Sequence, residues 1–253
     1  MSNRRQTVEI QGVLSSETDC VCGVPQGSVL GPLLFLIYVN DIPNVSDTLK
    51  FRLFADDTGI FLSAADGGFL NRTMNNELVK ISKWFKANKL SLNTDKTCFI
   101  LFHSQYRKVD FEDFRLYIDS TRIKRKTHTK YLGLIIDENL SWKQHCQHIN
   151  DKNAKSTGIM SKLRHYTNLR TLKSVYYSIL YPYLFYGVTC WGSAAEYVVK
   201  PLQVIQNKTL KTMLFLRYDS PTNPVYRRLR TLKIKEIYDQ QCLLFIHQYH
   251  HNI

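Results

Sequence analysis

Asp56 and Asp57 stand side by side in the stretch Phe54-Ala55-Asp56-Asp57, between two arms of alternating apolar residues. Phe51 and Leu53 precede the pair, and Ile60 and Leu62 follow it. Alternation with a period of two is the pattern of a half-buried strand, so residues 51–63 are expected as a hairpin with acids at its tip. Carboxylate oxygens are the ligands that hard divalent ions such as Mg²⁺ take. On a regular strand adjacent side chains point to opposite faces, which would keep the two acids from sharing one ion. A tight turn relaxes that restriction, and direct ligation is expected of Asp56 before Asp57. Asp is also an ordinary turn residue, so the pair on its own would carry little information.

The elements around the pair follow from periodicity and from breakers. Thr7 to Ile10 and Val13-Leu14 flank Gln11-Gly12 as a short hairpin, and Cys20 to Val24 reads as another strand. Pro25-Gln26-Gly27-Ser28 breaks it. A helix from about residue 32 to 41 follows, apolar nearly all round and therefore expected to be buried, with Pro43 ending it. Leu70, Met74, Leu78, Ile81 and Phe85 recur at helical steps, with Lys80, Lys83 and Lys86 on the wet side. A turn at Asn93-Thr94-Asp95 leads to a strand over 97–102, and residues 116–136 read as two or three strands with a turn at Asp119-Ser120. Beyond this the pattern is helical. Ser141-Trp142-Lys143-Gln144 has the form of a capping box. Helices are expected behind it, over about 169–198 with a break at Pro182, over 200–217, and over 234–249 after a gap marked by Pro221 and Pro224. Residues 1–137 are thus expected as mixed α and β, and 138–253 as nearly all helix.

Charge divides the chain in much the same way. Residues 1–103 carry 10 Lys and Arg against 10 Asp and Glu, whereas 104–253 carry 24 against 11, so the whole excess of +13 lies in the second part. A basic half with interleaved Tyr and His fits a surface that tracks phosphates, and fits a merely solvated basic face as well. The six cysteines are scattered, and Cys20-x-Cys22 has the wrong spacing for a zinc knuckle, so a reducing compartment is expected. The longest apolar run, Val29 to Val39, is too short for a bilayer, and no leader pattern follows the polar start. The expectation is an intracellular protein, cytoplasmic or nuclear, without a membrane partner.

Four stretches together carry a resemblance. Gly23-Val-Pro-Gln-Gly-Ser-Val-Leu-Gly-Pro-Leu-Leu-Phe35, with Tyr38-Val-Asn-Asp-Ile-Pro43 and Phe54-Ala-Asp-Asp57 after it, resembles motifs B and C of reverse transcriptases. The jockey-type non-LTR retrotransposons are the most similar group. Leu90-Ser-Leu-Asn-Thr-Asp-Lys-Thr97 resembles motif D, and Tyr131-Leu-Gly-Leu-Ile-Ile-Asp137 resembles motif E. The resemblance extends more weakly through Tyr181-Pro-Tyr and Tyr186-Gly. It implies an α+β fold, a truncated polymerase palm of antiparallel sheet and helices over 1–137, followed by an all-helical, thumb-like region over 138–253. It implies RNA-directed DNA polymerisation, with RNA template, DNA primer and deoxynucleoside triphosphates as partners and Mg²⁺, or alternatively Mn²⁺, as cofactor.

Residue by residue, the resemblance makes Asp56 the motif C metal ligand and Asp57 its less essential neighbour. In such palms a motif A carboxylate and the first Asp of motif C hold two ions, one activating the primer hydroxyl and the other neutralising the triphosphate. Pro25, Gln26, Gly27 and Ala55 are implied to line the nucleotide or template base. Lys96 is implied as the acid for departing pyrophosphate, a phosphate clamp being an equally good role. Tyr131, Leu132 and Gly133 match the hairpin that grips the primer end. Arg122, Lys124, Arg125, Lys126 and Lys130 around that hairpin are expected to contact the nucleic-acid backbone. Upstream of Gly23 only Glu9, Glu17 and Asp19 offer carboxylates, none on a buried strand, so the chain is expected to begin just past the motif A acid and to be inactive alone. Two other readings stand beside this one: a nucleic-acid-binding module without catalysis, and a translated remnant of a decaying retrotransposon.

Overall fold

The computed structural model describes residues 4–20, 23, 24, 27–104, 106 and 114–251. In chain order come β1 (Arg4–Gln6), β2 (Glu9–Ile10), β3 (Val13–Leu14), β4 (Thr18–Cys20), α1 (Leu30–Val39), a 3₁₀ turn (Ile42–Val45), β5 (Lys50–Phe54), β6 (Asp57–Phe61) and α2 (Gly67–Ala87). Then follow β7 (Cys98–Phe99), β8 (Tyr117–Ile118), β9 (Thr121–Arg122), β10 (Lys124–Arg125), β11 (His128–Tyr131) and β12 (Leu134–Asp137). The rest is helical: α3 (Lys143–Leu163), α4 (Leu169–Ile179), α5 (Tyr181–Phe185), α6 (Val188–Trp191), α7 (Glu196–Met213), α8 (Thr222–Leu229) and α9 (Ile234–His251). The chain packs as two units, one of residues 1–97 with 110–124, the other of 98–109 with 125–253. The hairpin of β11 and β12 belongs to the unit that holds the helices.

In the first unit α2 supplies the organising face. Asp66 caps it by accepting from the Phe69 N–H at 2.6 Å. Leu78 and Ile81 are buried, as are Val39, Ile42, Leu49, Phe51, Leu116 and Ile118 of the same unit. Asn75 ties the helix to β8, donating to the Arg115 carbonyl and accepting from the Tyr117 N–H. Asp119, at the β8–β9 turn, accepts from Ser82 at 2.7 Å and pairs with Lys86 at 2.8 Å. One expectation in this unit is met in part and another fails. Among the described residues the antiparallel pairing is present as separate two-stranded pieces, β1 with β4, β2 with β3, β5 with β6 and β8 with β9. A period-two pattern makes a strand, but a sheet needs neighbours for the outer backbone groups, and these strands run to five residues at most. Helix α1 is not buried: Leu30, Leu33, Leu36 and Ile37 are exposed, and only Val39 is enclosed. Its end is held where the Tyr38 hydroxyl donates to the Asn88 carbonyl and Ile42 enters the core.

In the second unit α3 and α7 lie parallel. The Lys143 ammonium stands over the Tyr197 ring at their N-terminal ends, and Arg164 donates to the Thr212 carbonyl at their C-terminal ends. Between these, the Thr157 and Thr209 hydroxyls meet at 2.6 Å. Met160, Leu172, Tyr176, Leu180, Leu184, Trp191, Leu202 and Ile234 form the centre of the core. Each such side chain contributes roughly 1.5–3 kcal/mol by leaving water. A polar cluster is enclosed with them. Gln206 donates to the Tyr176 hydroxyl and the Leu232 carbonyl and accepts from the Tyr226 hydroxyl, so its amide is satisfied. Burial pushes the Tyr176 phenol up to about 12, which keeps it a neutral donor and acceptor.

The start of α3 departs from the capping box. The N-cap position falls on Trp142, in a left-handed conformation with φ 62°, and no side chain there caps the helix. Asp137 does the work from the end of β12. Its buried carboxylate accepts from the backbone N–H groups of Asn139 at 3.2 Å, Ser141 at 3.0 Å and Trp142 at 2.8 Å. Pro182 sits in the first turn of α5, where its missing N–H costs nothing, and the helical run breaks at Leu180. The stretch expected as a gap forms α8, with Pro224 within it.

Candidate functional site

The acid turn is a two-residue loop. Phe54 pairs with Asp57 across β5 and β6, leaving Ala55 and Asp56 as the loop, and the register runs on through Leu53 with Thr58, Arg52 with Gly59 and Phe51 with Ile60. Ala55 has φ 49° and Asp56 has no positive φ, so only the first loop position is left-handed. An alanine there carries a steric cost that glycine would not. The register places Asp57 on the face of Arg52, Phe54 and Phe61, with Phe51, Leu53 and Ile60 on the other. Phe54 is 62% and Phe61 43% exposed, so the Asp57 face is open while Phe51 is buried. Asp56 and Asp57 are both exposed.

The other expected residues fall into both units. Gly27 has φ 82° and nothing within 4 Å of where a Cβ would stand. Its glycine is required by backbone conformation, and the space beside it is open. Pro25 and Gln26 lie outside the described residues. Lys96 is exposed on a turn built by Asn93, whose side chain accepts from the Lys96 N–H at 3.1 Å. Arg122 and Lys124 are exposed in the first unit, and Lys126 and Lys130 in the second. Arg125 is held by an ion pair with Glu138 at 2.8 Å.

The loop between β11 and β12 is better braced than its sequence suggests. Tyr131 pairs with Leu134, so Leu132 and Gly133 are the loop, with φ 45° and 84°. Two left-handed positions make the type I′ turn that matches strand twist, and leucine is an uncomfortable first residue in it. Tyr186 supplies the compensation, donating its hydroxyl to the Leu132 carbonyl at 2.6 Å. Its ring comes within 3.0 Å of where a Cβ on Gly133 would stand. Gly187 lies against Leu134, where a Cβ would come within 2.8 Å of Cδ2. Sequence reasoning passed over Tyr186 as part of this site; the only signal was the adjoining Tyr-Gly pair, 54 residues from the loop it braces.

The family described as reverse transcriptase (RNA-dependent DNA polymerase) matches residues 4–136, a span that contains the Asp56-Asp57 turn, Gly27, Lys96 and the β11–β12 hairpin up to Ile136. The chain belongs to the reverse transcriptase family. Among curated relatives, it is 28% identical over 95% of its length to the probable RNA-directed DNA polymerase from transposon X-element of Drosophila melanogaster, covering 26% of that protein. It is 25% identical over 92% of its length to the RNA-directed DNA polymerase from mobile element jockey of the same organism, again covering 26%. A more distant relative is the retrovirus-related Pol polyprotein from type-1 retrotransposable element R1 2 of Nasonia vitripennis, 26% identical over 69% of this chain and 44% of the relative. The chain spans about a quarter of the first two relatives' length. No solved structure matches it. The helical part beyond residue 136 is thus tied to reverse transcriptases through the relatives rather than through the family match.

Two further properties of this reverse transcriptase chain bear on its chemistry. Among the described residues no three His, Cys, Asp or Glu side chains cluster as a metal site. No helix among the described residues is long and apolar enough to cross a membrane.

Proposed function

We propose that this chain is the acid-turn and helical portion of an RNA-directed DNA polymerase, which binds RNA template and DNA primer and supplies part of the metal site through Asp56 and Asp57. The observation that carries the reading is the family match over residues 4–136, which takes in an acid pair at the tip of a regular hairpin with an open face. Asp56 is the loop acid that a divalent ion would reach first, and Asp57 its neighbour on the ladder. In this reading the first unit corresponds to palm and the helices of the second to thumb, with the β11–β12 loop against the primer end. Gly27 offers open backbone to a nucleotide or template base, and Lys96 is an exposed cation for phosphate.

The donor set does not by itself fit a pair of Mg²⁺ ions. Such sites are bridged by carboxylates from more than one strand, and the described residues bring two acids together with no third. We therefore assign no chemical step to metal held by residues 1–253 alone, and expect them not to extend a primer. The basic charge beyond residue 103 independently favours nucleic-acid binding.

Fluorescence anisotropy with a labelled RNA–DNA hybrid tests the binding. Affinity should fall linearly in log–log form with added salt, at a slope of about −0.9 for each phosphate neutralised. Lys126→Gln and Lys130→Gln should each reduce that slope by about one. A flat salt response, or slopes unchanged in both variants, would contradict the proposed contacts.

A further inference from the structure

The C-terminal ends of α3 and α7 come together in the second unit and carry aromatic side chains among cations. Between Lys152 and Tyr218 the only acid in the sequence is Glu196, against ten Lys and Arg. Among the described residues the single ion pair made by that span is Arg217 with Asp219, at 3.3 Å. Tyr166 is 86%, Tyr218 74% and Phe215 56% exposed. The Arg164 guanidinium lies over the Phe215 ring at 4.6 Å, and His165 meets the same ring edge-on at 5.4 Å. Lys211 is buried, and its ammonium donates to the Tyr218 carbonyl, fixing the backbone that presents the Tyr218 ring.

Cations at helix C-termini have an ordinary explanation, since they offset the dipole and cap free carbonyls. Phe215 has none. Helix α7 ends in a Schellman motif: Leu216 N–H donates to the Lys211 carbonyl at 3.0 Å and Phe215 N–H to the Thr212 carbonyl at 3.2 Å. Phe215 occupies the left-handed position of that motif, at φ 56°, where glycine is the usual residue. At the corresponding ends of α2 and α8 the left-handed residues are Lys89 and Arg230, which the dipole favours. An exposed phenylalanine gains nothing from the dipole and gives up the conformational ease of glycine. A ring kept there against local preference, under a guanidinium and with exposed tyrosines two residues along the chain from Arg164 and three from Phe215, suits a ligand that stacks and is anionic.

We propose that Arg164, Tyr166, Phe215 and Tyr218 form a stacking platform for single-stranded nucleic acid. Unpaired bases lie on the rings, and Lys162, Arg164 and Arg217 neutralise the phosphates. The site goes beyond the polymerase reading and requires neither Asp56 nor Asp57. A strand without sequence preference is expected, because every base offers a π-face.

The full chain is titrated into a short fluorescein-labelled oligothymidylate and, separately, into an abasic strand of the same length, which keeps the phosphates and lacks the bases. The wild type should bind the oligothymidylate about tenfold or more tightly than the abasic strand. Phe215→Gly should lose most of that preference while its thermal midpoint stays level or rises, since glycine suits the left-handed position. Tyr166→Ser, at a more exposed position, should weaken oligothymidylate binding without moving the midpoint. Equal binding of the two strands by the wild type would overturn the platform and leave only a basic surface. Retention of the preference by both variants would overturn it as well. Preference for the oligothymidylate with no affinity for the RNA–DNA hybrid would leave the platform standing and remove the polymerase reading.

Discussion

His145 should make the helical unit acid-sensitive in a pH range where carboxylates do not. It lies in the first turn of α3 and is 3% exposed, with its ring edge-on to Trp142 and Trp191 at 6.0 and 6.1 Å. Its Nδ1 accepts from the Ile135 N–H at 3.3 Å, a bond that a protonated ring would lose. Burial, with the neighbouring His148, lowers its pKa from 6.5 to about 4. The folded chain therefore refuses a proton that the unfolded chain accepts, and stability falls as pH drops from 6.5 toward 4. At about 1.36 kcal/mol per unit, roughly 2 kcal/mol should be gone by pH 5 and about 3 kcal/mol at the low end. The carboxylates act lower. Lys80 and Ser46 hold Glu77 below its ordinary 4.5, and Lys86 and Ser82 hold Asp119 below its ordinary 3.8. Their contributions are present above those values and are lost progressively as pH falls from them through the depressed ones. Urea unfolding followed by tryptophan emission at several pH values between 7 and 5 measures the effect. In His145→Gln, whose amide oxygen can still accept from Ile135, the slope should largely vanish. A wild-type midpoint that stays flat over that range, or an equal slope in the variant, would refute the reasoning.

Asp137→Ala should cost about 3 kcal/mol, because three backbone N–H groups around the start of α3 lose a buried charged acceptor; urea midpoints read this directly, and a loss within measurement error would show that solvent replaces the carboxylate. Ala55→Gly should stabilise the acid turn by up to about 1 kcal/mol, since the left-handed φ of 49° suits glycine, with part of the gain offset by the freer unfolded chain. A lower thermal midpoint for that variant would mean that Ala55 does not hold this conformation.

How much of this was legible in the sequence depended on range. The acid hairpin and α2 were readable because their signals are local, a period of two around Asp56 and a stripe from Leu70 to Phe85. Pro182 announced its break for the same reason. The composition of α1 showed that it wants cover but could not show whether cover exists, and among the described residues it stays open. Ser141-Trp142-Lys143-Gln144 was a sound capping pattern that lost to a buried carboxylate four residues upstream of Ser141. The brace of Tyr186 on Leu132 and the seat of the Phe215 ring against Arg164 depend on contacts about 50 residues apart, and no local pattern encodes those. Within the candidate site, Asp56 and Gly27 were recognisable as residues, whereas the left-handed Ala55 and the open face of Asp57 emerge only in the folded hairpin.

The most direct test of the account is primer extension by purified residues 1–253 on an RNA template with a DNA primer and deoxynucleoside triphosphates, in Mg²⁺ and in Mn²⁺. The account predicts that the hybrid binds with steep salt dependence and that the primer stays unextended, because Asp56 and Asp57 lack a third carboxylate among the described residues. Template-directed extension that disappears on Asp56→Ala would contradict it, by showing that the acid turn already belongs to a complete site.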